Sequence, residues 1–269
     1  MSRSLLARMA ALAALAGVAA LGLVACGGGG SSEWATAIPP SLKTLPARLA
    51  AADRAWRRGV EAWTAGGQLA TGAPPEEVTL PARYVQRAVS LLSRRPHLAA
   101  ATTRRLPPRL AGEVRDLTAA LRDLHRLSAG WPAHEVRTGP PSPLDKLLHY
   151  YRAAQQRFGV GWHYLAAINL VESAFGRARS ASVAGAKGPM QFVPATWRIY
   201  GLGGDIRDPH DAILGAANLL RQRGAPASYG RALYAYNPSS LYVHAVTRYA
   251  RLIAEDRDAV YLLYSWPGL

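Results

Sequence analysis

Residues 161–175 read GWHYLAAINLVESAF, and the chain continues GRARSASVAGAKGPMQFVPATW to residue 197. The first run is dense in helix formers and nearly free of charge. On a helical wheel its one acid, Glu172, falls between Leu165 and Ile168, inside the apolar arc that also holds Phe175. No other carboxylate occurs between Asp145 and Asp205. A glutamate on a buried face without a partner is expensive when ionised, so its pKa is expected to rise. A rise from about 4.3 toward about 6 corresponds to roughly 2 kcal/mol. A fold tolerates that cost when it needs a carboxylic acid still protonated near neutral pH, as a general acid for a leaving alcohol. A glutamate at a helix end that reaches solvent is the competing reading of this stretch taken alone.

The segment that follows favours a site. SASVAGAKGPMQF (180–192) is a loop of small residues whose glycines, Gly185 and Gly188, let backbone approach a ligand. Met190, Gln191 and Phe192 then offer an apolar contact, an amide and a ring, with Trp197 and Tyr200 just beyond. Aromatic faces beside amides suit a sugar ring, which stacks through its carbon–hydrogen face and hydrogen-bonds through hydroxyl and acetamido groups.

Three motifs stand in order: Glu172-Ser173, Gly188-Pro189-Met190-Gln191 and Ala235-Tyr236-Asn237. Together they resemble the catalytic domain of the soluble lytic transglycosylase family over about residues 144–255. The Gly-Pro-Met-Gln-Phe loop is most similar to that of secreted actinobacterial members. The resemblance implies a lysozyme-like fold and cleavage of the β-1,4 bond between N-acetylmuramic acid and N-acetylglucosamine in peptidoglycan. It implies Glu172 as acid and then base, with a 1,6-anhydro sugar as product and no cofactor. Ser173 would assist by hydrogen bonding, and Gly188, Met190, Gln191 and Phe192 would line the saccharide cleft. Tyr236 would sit close to Glu172, with Asn237 supporting its loop. Ordinary glycosidases need a second carboxylate about 5–5.5 Å or 6.5–9.5 Å away; an attack by the sugar's own 6-hydroxyl makes that neighbour unnecessary. Pro189 stands where leucine is common, and Pro238-Ser239 where Ala-Gly is common. Asp205, in GLGGD, has no evident structural role. If it approached the cleft it could activate water, as in a hydrolase of goose-lysozyme type. A non-catalytic wall-binding scaffold is a further alternative.

Outward from this core, the patterns predict a mainly α protein. LDKLLHYYRAAQQRFG (144–159), DPHDAILGAANLLRQRG (208–224), SYGRALYAYN (228–237) and YVHAVTRYARLIAED (242–256) read as helices. Asp208 suits the N-cap, Pro209 the first helical position, and Asp211 the first turn, so both acids are expected to be structural. Upstream, helices are expected over 47–66, 80–95 (stopped by Pro96) and 109–130, where Leu110, Val114, Leu117, Leu121 and Leu124 share one face. The expected organisation is a signal peptide (1–25), a flexible tether (26–46), a helical N-terminal region (47–130), a proline-rich linker (131–143) and a lysozyme-like domain (144–269). The N-terminal region reads as a bundle packed on the catalytic domain, a spacer or a docking module.

Arg3 and Arg8 precede an apolar stretch, Met9 to Val24, that ends in Leu23-Val24-Ala25-Cys26 and GGGGSS. This is a secretory pattern, and its ending resembles the bacterial lipobox, in which the cysteine, here Cys26, is lipidated. The expected location is therefore the outer face of the cell membrane, held by the lipid anchor. The formal net charge is +15, carried almost wholly by arginine, and favours anionic partners such as wall polymers. The export signal and the lack of any nucleic-acid motif argue against a nucleic-acid partner. With one cysteine and neither HExxH nor GxSxG, the sequence gives no support to a metal site or a nucleophile elbow.

Overall fold

A computed structural model describes residues 34–35, 38, 41–65, 73–129 and 136–268. In chain order the helices are α1 (Leu45–Ala65), α2 (Glu76–Ser93), α3 (Pro96–Thr103), α4 (Pro108–Ser128), α5 (Leu144–Phe158), α6 (Trp162–Ser173), α7 (Pro194–Tyr200), α8 (Pro209–Gln222), α9 (Tyr229–Tyr236), α10 (Ser240–Glu255) and α11 (Ala259–Tyr264). Among the described residues the only sheet-like pairings are two isolated antiparallel bridges, Thr138 with Ala178 and Lys187 with Phe192. The mainly α class is as expected, and each expected helix is present.

Two boundaries differ from expectation for local reasons. Pro96 does not only stop α2; it opens α3 at a first-turn position, where a missing N–H costs nothing, and Pro194 opens α7 in the same way. Helix α2 begins at Glu76 and carries Pro81 inside it. Pro81 cannot donate to the carbonyl of Glu77, four residues back. That carbonyl lies against Gly59 of α1, where a Cβ would come within 2.7 Å of it. The missing hydrogen bond and the missing side chain together let α1 and α2 approach closely.

Helix α6 is the centre. From Leu165 to Ser173 every residue is buried, so this helix has no solvent face over its last nine residues. Helix α5 covers one side, and α10 packs along another. The far side of α10 is in turn covered by α4, which leans on α2 and, through it, on α1. The N-terminal helices are thus a wall of the same core that holds α6, the first of the three arrangements expected for them. Asp116 of α4 accepts hydrogen bonds from Arg248 (3.0 Å) and Arg251 (2.5 Å) of α10. Arg57 of α1 joins Asp53 (2.9 Å), Glu113 of α4 (3.2 Å) and Asp256 just after α10 (2.6 Å).

Residues 136–143, expected to be linker, form a strap along the chain that leaves α6. Gly139 N–H donates to the Arg177 carbonyl (2.9 Å), Ser142 N–H to that of Phe175 (3.0 Å), and Arg179 N–H to that of Arg137 (2.8 Å). The strap supports an unusual exit. Ala174, Phe175 and Gly176 have φ of 50°, 62° and 85°, a left-handed run that includes two residues with side chains. Each such non-glycine residue costs about 1–2 kcal/mol. Burial of the Phe175 ring and the strap's hydrogen bonds hold the run in place.

Replacing Arg57 with alanine would leave Asp53, Glu113 and Asp256 sharing a single, half-exposed cation, Arg109, in a largely buried cluster. Breaking such a pair typically costs several kcal/mol, and partial solvent access reduces this to about 2–3 kcal/mol here. Urea unfolding of Arg57→Ala beside the parent protein measures it, and a loss below about 0.5 kcal/mol would show the cluster to be a surface feature.

Candidate active site

Glu172 lies one residue from the C-terminus of α6 and is 1 % exposed. Tyr242, fully buried on α10, donates its hydroxyl to Glu172 Oε1 at 2.8 Å. Glu172 Oε2 is buried without a partner among the described residues. Burial pushes the carboxyl up to about 8, with the Tyr242 hydrogen bond pulling the other way. The expected rise, toward about 6, is thus exceeded, because burial here is complete. At neutral pH the group is mainly the neutral acid. Since the phenol donates to Oε1, the acid proton belongs on Oε2.

A cavity of about 260 Å³ opens at this carboxyl, walled by Gln191, Phe192, Tyr200, Leu219, Arg223 and the 234–238 segment among others. Glu172 is the one carboxylate among its lining residues. Three further polar atoms of this wall are buried and unpartnered: Gln191 Oε1, Asn237 Oδ1 and Asn237 Nδ2. Buried polar atoms without partners are rare in folded proteins. Here all three belong to residues that line one cavity, a polar wall that suits a ligand with both donors and acceptors. Tyr234, 53 % exposed, adds an aromatic face at the rim.

The sequence-selected residues divide into two groups. Glu172, Gln191, Phe192, Tyr236 and Asn237 line the cavity. Ser173, Gly188 and Met190 do not; they build the loop behind it. Ser173 is fully buried; its hydroxyl donates to the Pro189 carbonyl (2.6 Å) and accepts from Gly176 N–H (2.8 Å). Asn169, one turn earlier on α6, donates to the same carbonyl (2.8 Å) and accepts from Tyr151 of α5 (2.6 Å). Two side chains of the acid-bearing helix therefore grip the loop that carries Gln191. Gly188 has φ 76°, and a Cβ there would fall 1.8 Å from the Ile206 carbonyl. Its role is close approach of backbone to backbone, not to a ligand. The Met190 side chain is buried, and its carbonyl accepts from the Tyr236 hydroxyl (2.6 Å). Tyr236 also runs parallel to Tyr242, with ring centroids 6.3 Å apart.

Asp205 is exposed and does not line the cavity. Its carboxylate accepts from Arg207 N–H (2.8 Å), and its own N–H donates to Asp211 (2.9 Å). Asp208 caps α8 by accepting from Asp211 N–H (3.1 Å), as expected. Trp197 packs edge-on against Phe192 behind the wall. Ser239, one of the two departures from the family pattern at 238–239, caps α10, the helix that presents Tyr242.

The sequence reading missed Tyr242, Asn169, Arg223 and Tyr234. Tyr242 and Asn169 look like ordinary helix residues. A polar residue inside the apolar run AAINLVES was the one available signal for Asn169.

Residues 149–252 match the family model described as Transglycosylase SLT domain. The match contains every residue that lines the cavity. No curated protein and no solved structure matches the chain. The chain thus carries a transglycosylase SLT domain, and that domain indicates an enzyme, a lytic transglycosylase acting on peptidoglycan.

Burial of Glu172 has a thermodynamic signature. Between about pH 4.5 and 8 the folded state holds a proton that the unfolded state has released, so stability falls as pH rises through that window. The cost reaches about 3 kcal/mol near pH 7. Glu172→Gln removes the titration, so its stability relative to the parent should improve progressively from pH 5 to pH 8. Unfolding at a series of pH values tests this, and parallel curves for the two proteins would refute it. Tyr242→Phe removes the hydrogen bond that favours the carboxylate. It should raise the Glu172 pKa further, by about one unit, as read from the carboxyl 13C shift.

Proposed function

We propose that Glu172 carries the whole of the acid–base chemistry at the bond between N-acetylmuramic acid and N-acetylglucosamine. Its Oε2 proton passes to the glycosidic oxygen as the bond to the anomeric carbon breaks, and the N-acetylglucosamine side leaves as an alcohol. The muramic N-acetyl group stabilises the positive charge that develops. The carboxylate left behind then takes the proton of the muramic 6-hydroxyl while O6 attacks the anomeric carbon. A 1,6-anhydro sugar forms, no water is consumed, and Glu172 ends protonated as it began. The observation that carries this reading is a cavity walled by a single carboxylate, neutral at pH 7, with one oxygen free. A hydrolase would need a second group to activate water, and Asp205, the candidate for it, does not line the cavity. Gln191 and Asn237 would bind the acetamido and hydroxyl groups, and Tyr234 would stack on a sugar face.

The enzyme would work outside the cytoplasm, tethered by a lipid on Cys26 and retained in part by anionic wall polymers. The lipobox-like LVAC sequence and the excess of arginine support this; Cys26 itself lies outside the described residues. No helix among those residues is long and apolar enough to cross a membrane.

Mass spectrometry of fragments released from purified peptidoglycan tests the chemistry. Products one water lighter than reducing-end fragments are expected, and Glu172→Gln should lower the rate by about 10²–10⁴. Reducing-end products from the parent protein would make it a hydrolase. Since the protonated acid starts the reaction, kcat/KM should fall as pH rises through about 8. A rate that climbs through that range would remove Glu172 from the acid role.

A further inference from the structure

The charge on the cavity wall is one-sided. From residue 212 to 254 the chain contains no aspartate or glutamate, yet it carries Arg221, Arg223, Arg231, Arg248 and Arg251. Arg248 and Arg251 face α4 and pair with Asp116. The other three gather where α8 turns into α9, at the end of the cavity wall. Arg221 donates to the Ala225 carbonyl (3.4 Å), and Arg231 donates through Nε to the carbonyl of Arg223 (3.2 Å). Gly224 has φ 119°, and a Cβ there would strike the Arg231 guanidinium at 2.5 Å, so this turn is closed by arginine. Arg223 is the one of the three that lines the cavity. Its guanidinium lies over the Tyr200 ring, 5.7 Å from the centroid, and has no hydrogen-bond or ion-pair partner among the described residues. A cation held over a ring keeps its planar fork of donors free for a carboxylate.

Nothing else on the wall offsets this charge. The only acid there is Glu172, which is mainly neutral at pH 7, and no arginine contributes to its shift. The cavity therefore has a neutral polar part around Glu172 and a cationic edge at Arg223. The sugars of a glycan strand offer hydroxyl and acetamido groups, which suit the first part. The anionic groups of peptidoglycan are the free carboxylates of its peptide stems, which suit the second.

We propose that Arg223 forms a stem-recognition subsite, binding a free carboxylate of a peptide stem carried by a muramic residue near the bond to be cut. The enzyme then discriminates in favour of strands that keep their stems over denuded glycan. This rests on peptidoglycan as the substrate. It does not depend on which group activates the sugar.

The test compares kcat/KM on glycan strands bearing peptide stems with kcat/KM on the same strands whose stem carboxylates have been converted to amides. The parent protein should prefer the strands with free stem carboxylates, and the preference should shrink with added salt. Arg223→Gln should reduce the ratio of the two values by about tenfold, with Arg223→Lys intermediate because charge remains but the fork is lost. The descending pH limb near 8 should stay in place, since Arg223 does not set the acid's proton affinity. An unchanged ratio in Arg223→Gln overturns the proposal, even when cleavage is otherwise normal. Binding to the Glu172→Gln protein separates this from the chemistry. A soluble disaccharide–tetrapeptide should bind about tenfold more weakly when Arg223→Gln is added, and a chitin oligosaccharide of equal length should not. If that difference appears in a protein whose products are hydrolytic, the subsite stands and the proposed chemistry fails. Equal weakening of both ligands means Arg223 binds sugar, and sinks the stem assignment.

Discussion

Everything at the site follows from taking one carboxyl group out of water and giving it a single hydrogen bond. With no solvent and no cation beside it, the Glu172 carboxyl keeps its proton to about pH 8. With the Tyr242 hydroxyl on Oε1, the proton and the free lone pairs are directed to Oε2. A second partner, such as an arginine, would stabilise the carboxylate and bring the pKa down. The fold therefore surrounds this residue with apolar helix on nearly every side. The remaining requirement is that Tyr242 not move, and this is where the rest of the chain enters.

Tyr242 belongs to α10, whose first turn is capped by Ser239 and whose far side is covered by α4. The ion pairs from Arg248 and Arg251 to Asp116, and the cluster around Arg57, fix α10 against the N-terminal helices on its polar margin. The helices before residue 130 thus lie outside the family match but inside the mechanical path to the acid. The same logic applies on the opposite side of α6. Tyr151 of α5 orients Asn169, and Asn169 with Ser173 fixes the Pro189 carbonyl, so the loop bearing Gln191 is set by α6 itself. Acid and amide share one rigid support, as a site that must hold a sugar to within a fraction of an ångström requires.

The parts of this that were legible in the sequence are those encoded by short-range pattern. Heptad-like spacing gave the long helices, Asp208 and Pro209 gave the start of α8, and a lone acid in an apolar arc gave Glu172. Pattern was silent where a residue's meaning comes from a distant partner. Met190 and Gly188 look like cleft residues because they flank Gln191; only the approach of Ile206 and the reach of Tyr236 turn them into the cleft's support. Tyr242 sits at an ordinary helical position, and its importance arises from α10 crossing α6. Pro96 reads as a boundary because proline's local cost is visible in sequence, whereas the Gly59 contact that accommodates the carbonyl freed by Pro81 is not.

Arginine illustrates the limit from the other direction. Counted along the chain, the excess of positive charge is a diffuse property pointing to anionic partners in general. Folding sorts it. Arg57 and Arg109 go into the cluster with Asp53, Glu113 and Asp256, and Arg248 and Arg251 go to Asp116. Those charges face carboxylates within the fold. What remains unpaired beside the cavity is Arg223, on a wall whose one acid is uncharged at neutral pH. The raised pKa of Glu172 thus has a second consequence. Had the acid been ionised, its charge would have offset that of Arg223 across the cavity and reduced its pull on a carboxylate. Keeping the acid protonated prepares it to protonate a leaving oxygen, and it also leaves the positive edge of the cavity unopposed.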